Sequence, residues 1–274
     1  MQYIKRVSYQ GFLAHTVIYP APAIGNSTKK KPRSLPITQQ QRAANRKRSL
    51  AQLQGLIMAN FVPREDLFVT FTHKAGTREE EARKAGDNLL NNLRAWCRRN
   101  GRELRYIKIT EKQGQWHHHF ILSHIPLEVL QKYWGKHRGR VSFSPLDDSQ
   151  GYFDLTNYLL AEEKESRAGT GKNALRPRRK NEKAWTCSQG LALPPETVRV
   201  LDRPPRKKPV APAGYQVVEG SREEYDSRFG RVVSYTSQWI GPGLPKVYQR
   251  AQKRLTKRLA KSLAKQKNKE RLQC

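Results

Sequence analysis

The sequence predicts an α+β protein in which a central antiparallel sheet carries helices packed on one of its faces. Three observations predict this class: the period-two apolar run LFVTFT at 67–72, two strand-like runs joined by the short connection KQGQ, and amphipathic helical segments between the strands. In chain order the elements are βαββαβα, followed by a last strand-like piece. That order favours one sheet with its helices on one side.

Each element of this region has its own signal. A long helix over 78–100 has Glu near its start, Arg near its end and Gly101 after it. The segments RELRYIKITE and WHHHFILS predict a β-hairpin across KQGQ. A short helix at 126–134, a strand near 140–143 and a helix around 154–165 follow, and the strand-like AWTCS ends the pattern.

Composition shifts predict four parts of the chain. Residues 1–60 form a basic N-terminal extension and a helix that begins after Thr38, and 61–194 form the central domain. Residues 195–245 are Pro-rich and predicted to be poorly structured. Residues 246–274 form a basic amphipathic helix with apolar residues every fourth position, which is either a solvated tail or a helix that contacts DNA or a partner.

Charge is the dominant global feature. The 274 residues hold 53 Lys and Arg against 23 Asp and Glu, which gives a net charge of +30. Such an excess is typical of proteins that bind a polyanion, because each phosphate contact releases condensed counterions. Nucleic acid is therefore the predicted partner, and an anionic membrane surface is the weaker alternative.

The cysteines and the apolar runs indicate the compartment. Cys97, Cys187 and Cys274 are scattered and odd in number, which fits neither a disulfide framework nor a CxxC metal site. The first residues lack the apolar core of a signal peptide, and no apolar run approaches the roughly 20 residues of a membrane span. We therefore expect a soluble cytoplasmic protein with no membrane partner.

The run QWHHHFILSH places three consecutive histidines in a predicted strand. Side chains alternate between the faces of a strand, so His117 and His119 share one face and His118 points to the other. Glu111 ends the preceding strand and joins that face if the hairpin register pairs it with His117, whereas a slip of one residue would separate them. His73 and His124 are interpreted as structural or surface residues.

Two imidazoles and a carboxylate suit a divalent metal that must also bind substrate oxygens. The HxH pair alone is a weak signal, because strand histidines are more often hydrogen-bonded in the core or simply exposed. The paired glutamate and the charge of the chain favour the metal interpretation.

Five segments together resemble a known family: LFVTFTH, the strand that ends in Glu111, WHHHFIL, LQKYWGKHRGRVSF and DLTNYLLAEE. They are similar to the HUH endonucleases, in particular the single-tyrosine rolling-circle replication initiator (Rep) proteins of bacterial phages, plasmids and mobile elements. The resemblance covers about residues 38–194. Its order, with the histidines before the tyrosine, resembles Rep proteins and transposases rather than relaxases.

The resemblance implies an RRM-like or ferredoxin-like HUH fold over 61–194 and a role for each matching residue. Glu111, His117 and His119 would bind Mg2+ or Mn2+, and Tyr158 would attack the scissile phosphate of single-stranded DNA. The products would be a 5′-phosphotyrosine link and a free 3′-OH, which start rolling-circle replication. The implied partners are an origin hairpin, a helicase and the replication machinery of a bacterial host, in its cytoplasm.

One departure from the family pattern concerns the phosphate. The tyrosine helix of the family commonly carries a lysine one turn later, and here that position is Ala161. Lys164 lies about 600° further around the helix and points away from the tyrosine. We expect the DNA contacts to come instead from a basic loop, with Trp116 as a further candidate that stacks on a base or anchors the hairpin: Arg176, Arg178, Arg179, Lys180.

Several alternatives stay open at this point. Tyr152 is a second candidate nucleophile, and Tyr158 could instead be a packed core residue. The segment AGTGKNAL lacks the first glycine and the Ser/Thr of a P-loop, so no ATPase or helicase is predicted. The competing functions are a transposase with the same chemistry and a non-catalytic RRM-like nucleic-acid-binding protein.

Overall fold

The computed structural model describes residues 2–21, 39–147, 152–160, 183–227 and 230–271. Within these ranges it contains two antiparallel sheets and five helices. The chain divides into two compact units, Met1–Leu56 with Leu193–Gln249, and Ile57–Ala192 with Arg250–Cys274. The helices are α1 (Gln39–Asn60), α2 (Glu79–Arg99), α3 (Leu127–Trp134), α4 (Phe153–Leu160) and α5 (Lys246–Arg271).

The first unit is built on a six-stranded antiparallel sheet. Its order is β10-β11-β2-β1-β8, and β9 also pairs with β11. Ile18, Val233 and Tyr235 form the buried centre of one face. The strands are β1 (Tyr3–Gln10), β2 (Leu13–Pro20), β8 (Glu196–Leu201), β9 (Tyr215–Val217), β10 (Glu223–Ser227) and β11 (Gly230–Trp239).

This sheet corrects two predictions. Residues 195–245 are not poorly structured, because they contain β8 to β11, and residues 3–20 form a hairpin rather than an extension. The strands pair across most of the chain: Tyr3 lies opposite Leu201, and Ile18 lies opposite Val233. Partners so distant leave no local periodicity in the sequence, and the prolines between the short strands suggest a coil.

The second unit is built on a five-stranded antiparallel sheet of order β6-β3-β5-β4-β7. Its elements confirm the predicted chain order βαββαβα with a final strand. Gly114, at φ 69°, makes the turn between β4 and β5, so the connection is tighter than the four residues predicted. The strands are β3 (Leu67–His73), β4 (Tyr106–Gln113), β5 (Gln115–Leu122), β6 (Gly139–Pro145) and β7 (Thr186–Cys187).

Helices α2 and α3 cover one face of this sheet. The acidic residues in the first turn of α2 and the arginines in its last turn complement the helix dipole. Buried apolar side chains from both helices pack against the alternate residues of β3 and β5 that point toward them. This core includes Val69, Phe71, Leu89, Leu93, Phe120, Leu130 and Trp134.

Helix α4 departs from the predicted one-sided layering. The ring of Tyr158 contacts Phe68 and His119, which alternate with the core residues Val69 and Phe120 and therefore lie on the opposite face. The prediction that helices pack on one face is thus right for α2 and α3 and wrong for α4.

The basic C-terminal segment is helical, as predicted for 246–274, and α5 spans Lys246–Arg271. Its apolar positions face inward, and Leu255 is 4% exposed. In the portion of the chain that is described, no helix has both the length and the apolar character needed to cross a membrane.

Candidate active site

The register of β3, β4 and β5 brings the candidate ligands to one face. Glu111 lies opposite His117, which is the pairing that the sequence required but could not establish. On the other side of β5, Thr72 lies opposite His117 and Thr70 lies opposite His119. Directly opposed residues in an antiparallel sheet share a face, so Glu111, His117 and His119 point the same way.

Glu111 and His119 are in direct contact. Nε2 of His119 and Oε1 of Glu111 are 2.9 Å apart, and the two side chains are 3% and 9% exposed, respectively. An ionised carboxylate can only accept a hydrogen bond, so Nε2 of His119 carries the proton and donates it. Each buried polar group therefore has a partner in the absence of a ligand.

Two threonine hydroxyls hold the other nitrogen of each ring. Oγ1 of Thr70 lies 2.9 Å from Nδ1 of His119, and Oγ1 of Thr72 lies 3.1 Å from Nδ1 of His117. A hydroxyl can donate or accept, so it supports either tautomer of a neutral imidazole. The sequence analysis assigned these threonines no role, although their alternation in LFVTFTH was the available signal.

Aromatic rings enclose His119. Phe68 stacks on it at 5.8 Å between ring centroids and 15° between planes, and His117 stacks at 6.2 Å and 11°. Tyr158 meets it edge-on at 5.7 Å. The tyrosine of α4 therefore lies over the same face as the histidine pair.

The environment of Tyr158 differs from that of a core residue. Its side chain is 49% exposed, so the interpretation as a packed core tyrosine is wrong, whereas Tyr152 is 1% exposed. Partial burial raises the pKa of the Tyr158 phenol, and the nearby Glu111 carboxylate raises it further. The phenol is therefore protonated at neutral pH.

His118 points into the helix-covered core, as strand parity predicts. Its Nε2 lies 3.0 Å from Nε2 of His73 and 2.9 Å from the carbonyl oxygen of Ala82, and its Nδ1 lies 2.9 Å from Oγ1 of Thr110. Burial lowers the pKa of His118 to about 3 and that of His73 to about 4. Both rings are neutral structural residues.

The remaining candidates do not extend the site. Trp116 is 2% exposed and cannot stack on a base in this conformation, so the structure favours its alternative role as an anchor of the hairpin. Ala161 and the predicted DNA contacts of the basic loop lie outside the described residues: Arg176, Arg178, Arg179, Lys180.

The donor set fits Mg2+ or Mn2+ in chemistry, since it combines one carboxylate with two imidazoles whose Nδ1 atoms are already engaged. In the ranges that the structure describes, no three His, Cys, Asp or Glu side chains already converge in a metal-binding cluster. Glu111 and His119 instead bind each other. A cation held here would replace that hydrogen bond.

A known family matches the part of the chain that carries this site. Residues 66–163, just over a third of the chain, match the model of the family described as Replication-associated protein ORF2. The matched region runs from β3 through α4 and so contains Glu111, His117, His119 and Tyr158. No curated protein and no solved structure matches the chain. The family match is consistent with a rolling-circle replication initiator and supports a role in DNA replication.

Proposed function

We propose that this protein is a site-specific single-stranded DNA nicking and joining enzyme of the HUH type, with Tyr158 as its nucleophile, that initiates rolling-circle replication. The observation that carries the proposal is the position of Tyr158. Its half-exposed ring lies 5.7 Å from that of His119, on the sheet face that also presents Glu111 and His117.

The proposed reaction is a transesterification. Oη of Tyr158 attacks the scissile phosphorus and loses its proton, a tyrosyl phosphoester forms, and the bond from phosphorus to the 3′-oxygen breaks. That oxygen takes up a proton and leaves as a 3′-OH. The phosphodiester bond energy is conserved in the link to the 5′-phosphate, so a 3′-OH can later attack it, release the tyrosine and rejoin the strand.

Glu111, His117 and His119 would hold Mg2+ or Mn2+, which when bound supplies positive charge for the non-bridging phosphate oxygens. Before His119 can act as a ligand, its proton must move from Nε2 to Nδ1. Thr70 is placed to support that change, because its hydroxyl donates to Nδ1 in one tautomer and accepts from it in the other. Phe68 fixes the plane of the same ring by stacking.

The same site argues against a non-catalytic RRM-like binder. A binding platform presents aromatic rings for base stacking and does not require a buried carboxylate and imidazole beneath an exposed phenol. A transposase would use the same chemistry. It differs in its DNA substrate and in its product, and covalent capture can be carried out with either substrate.

The test is covalent capture. The full-length protein is incubated with Mn2+ and a labelled single strand that carries the origin hairpin of its own replicon, then run on a denaturing gel. We expect a labelled protein–DNA adduct that disappears in Tyr158→Phe. Tyr152→Phe is the matched control, because it removes a buried tyrosine hydroxyl that precedes the same helix and should leave the adduct intact.

Two results would contradict the proposal. An adduct that persists in Tyr158→Phe and disappears in Tyr152→Phe would assign the nucleophile to Tyr152. Specific binding of the origin strand without any adduct, at every Mn2+ concentration, would identify a binding protein.

A further inference from the structure

We infer that the exposed basic face of α5 binds the phosphate backbone of duplex DNA and forms a nucleic-acid surface separate from the candidate active site. Between residues 250 and 261 the helix carries six cations and no acidic residue. All six are exposed. These residues define the basic face: Arg250, Lys253, Arg254, Lys257, Arg258, Lys261.

The six cations form a single strip along the helix. At ~100° per residue they fall within a sector of ~140°, and at 1.5 Å per residue the strip is ~17 Å long. A rigid helix presents these charges as a straight row of fixed spacing. Such a row can contact several successive phosphates without ordering flexible chain at the moment of binding.

The opposite side of α5 is already occupied by the second unit. Leu255 is 4% exposed, and Nε2 of Gln252 donates to the carbonyl oxygens of Met58, at 3.2 Å, and Phe61, at 3.0 Å. Insertion of an amphipathic helix into a membrane surface requires its apolar side to face the lipid. Here that side is packed against the protein, so the structure favours a phosphate backbone over an anionic membrane.

The anchors of α5 place it away from the histidine pair. Arg258 forms an ion pair with Glu103 at 3.3 Å, and Glu103 and Phe61 precede the first residues of β4 and β3. The candidate ligand Glu111 is near the other end of β4, five residues beyond Tyr106, which corresponds to ~17 Å along the strand. A molecule on the basic face is therefore distinct from the strand at the active site.

The composition of the basic face favours duplex over single-stranded DNA. Surfaces for single strands combine cations with aromatic side chains on which bases stack. Between residues 250 and 261 α5 has no aromatic residue. Duplex DNA has the higher charge density and needs no stacking platform. A nick at an origin leaves duplex beside the cleaved strand, which supplies such a partner.

The test measures how salt affects binding of two fluorescent probes, a duplex without an origin sequence and a single strand of equal length. The variant replaces four exposed cations in the full chain: Lys253→Gln, Arg254→Gln, Lys257→Gln and Lys261→Gln. Arg258 is kept because it pairs with Glu103. We expect the slope of log K against log salt for the duplex to fall by roughly 3 to 4, with little change for the single strand.

The matched control removes the same charge from exposed cations of the same unit: Lys84→Gln, Arg98→Gln, Lys132→Gln and Lys136→Gln. It should change the duplex slope far less. An unchanged duplex slope in the α5 variant, or equal losses in the variant and the control, would overturn the inference. Equal losses for duplex and single strand would overturn the duplex assignment.

Two further measurements separate the remaining explanations. Vesicles that contain anionic lipid are assayed in parallel, and loss of vesicle binding with an unchanged duplex slope would assign the face to a membrane. Covalent capture on Tyr158 is measured in the same variant with an origin strand that lacks flanking duplex, and it should match the wild type. Failure of the nicking proposal therefore leaves the duplex result interpretable.

Discussion

Adjacent histidines of β5 occupy two environments on opposite faces of one sheet. His118 is surrounded by α2 and α3, is hydrogen-bonded to a carbonyl, a threonine and His73, and has a pKa lowered to about 3 by burial. His119, one residue later, contacts a carboxylate and lies against a half-exposed tyrosine. The same residue type is structural on one face and chemically equipped on the other because a strand alternates its side chains.

The largest effect that separates the two faces should come from His119→Ala. Loss of one ligand removes several kcal/mol of charge stabilisation, so Mn2+-dependent adduct formation should fall at least ~10³-fold. The rate is measured by gel quantification of the covalent product under single-turnover conditions. Circular dichroism should match the wild type. An adduct rate within tenfold of the wild type would remove His119 from the proposed ligand set.

The reciprocal change, His118→Ala, should act on stability. It removes a buried ring and leaves its polar partners unsatisfied, which should lower the free energy of unfolding by about 2 to 4 kcal/mol in urea titrations followed by Trp fluorescence. Adduct formation per folded molecule should stay close to wild type. Loss of the adduct with unchanged stability would reverse the assignment of the two faces.

A smaller effect should follow from Thr70→Val, which keeps the shape of the side chain and removes the hydroxyl that holds Nδ1 of His119. Mn2+ affinity, read from the electron paramagnetic resonance signal of free Mn2+, should weaken by about 10- to 100-fold. Thr70→Ser should restore it.

Thr110→Val provides the matched control for this experiment, because Thr110 holds Nδ1 of His118 on the other face. That variant should lose stability and keep its Mn2+ affinity. Equal affinity losses in the two valine variants would show that the effect arises from general loosening of the sheet.

The smallest effect is a coupling between Gly86 and His118. A Cβ at Gly86 would lie 3.0 Å from Cε1 and Nε2 of the His118 ring, so Gly86→Ala should destabilise the wild type by about 1 kcal/mol despite the better helix propensity of alanine. In the His118→Ala background the same methyl group fills vacated space and should stabilise by a similar amount. Additive changes in the double-mutant cycle would mean that the two positions do not pack together.

Sequence reasoning could predict the part of the fold that local patterns encode. The element order of the second unit follows from strand and helix periods, and the separation of His118 from its neighbours follows from strand parity alone. The pairing of Glu111 with His117 could be stated only as a condition, because a hairpin register depends on the turn at Gly114 and on both faces of the sheet.

The first unit could not be predicted for a physical reason. β8 consists of exposed residues, except for the partly buried Leu201, and it pairs with β1 at the other end of the chain, so its stability comes from a distant partner. The roles of Thr70 and Thr72 were missed for a related reason. Threonine is common in strands for its shape, and only the cross-strand register shows that its hydroxyl contacts an imidazole.

The hydrogen bond between Glu111 and His119 has a consequence for how the protein is made. A buried carboxylate without a partner would make folding depend on capture of a cation. Because His119 already satisfies it, the chain can fold first and load its cation afterwards. A chelator should therefore silence the protein reversibly while leaving its melting temperature nearly unchanged, so that supply of the ion regulates activity rather than abundance.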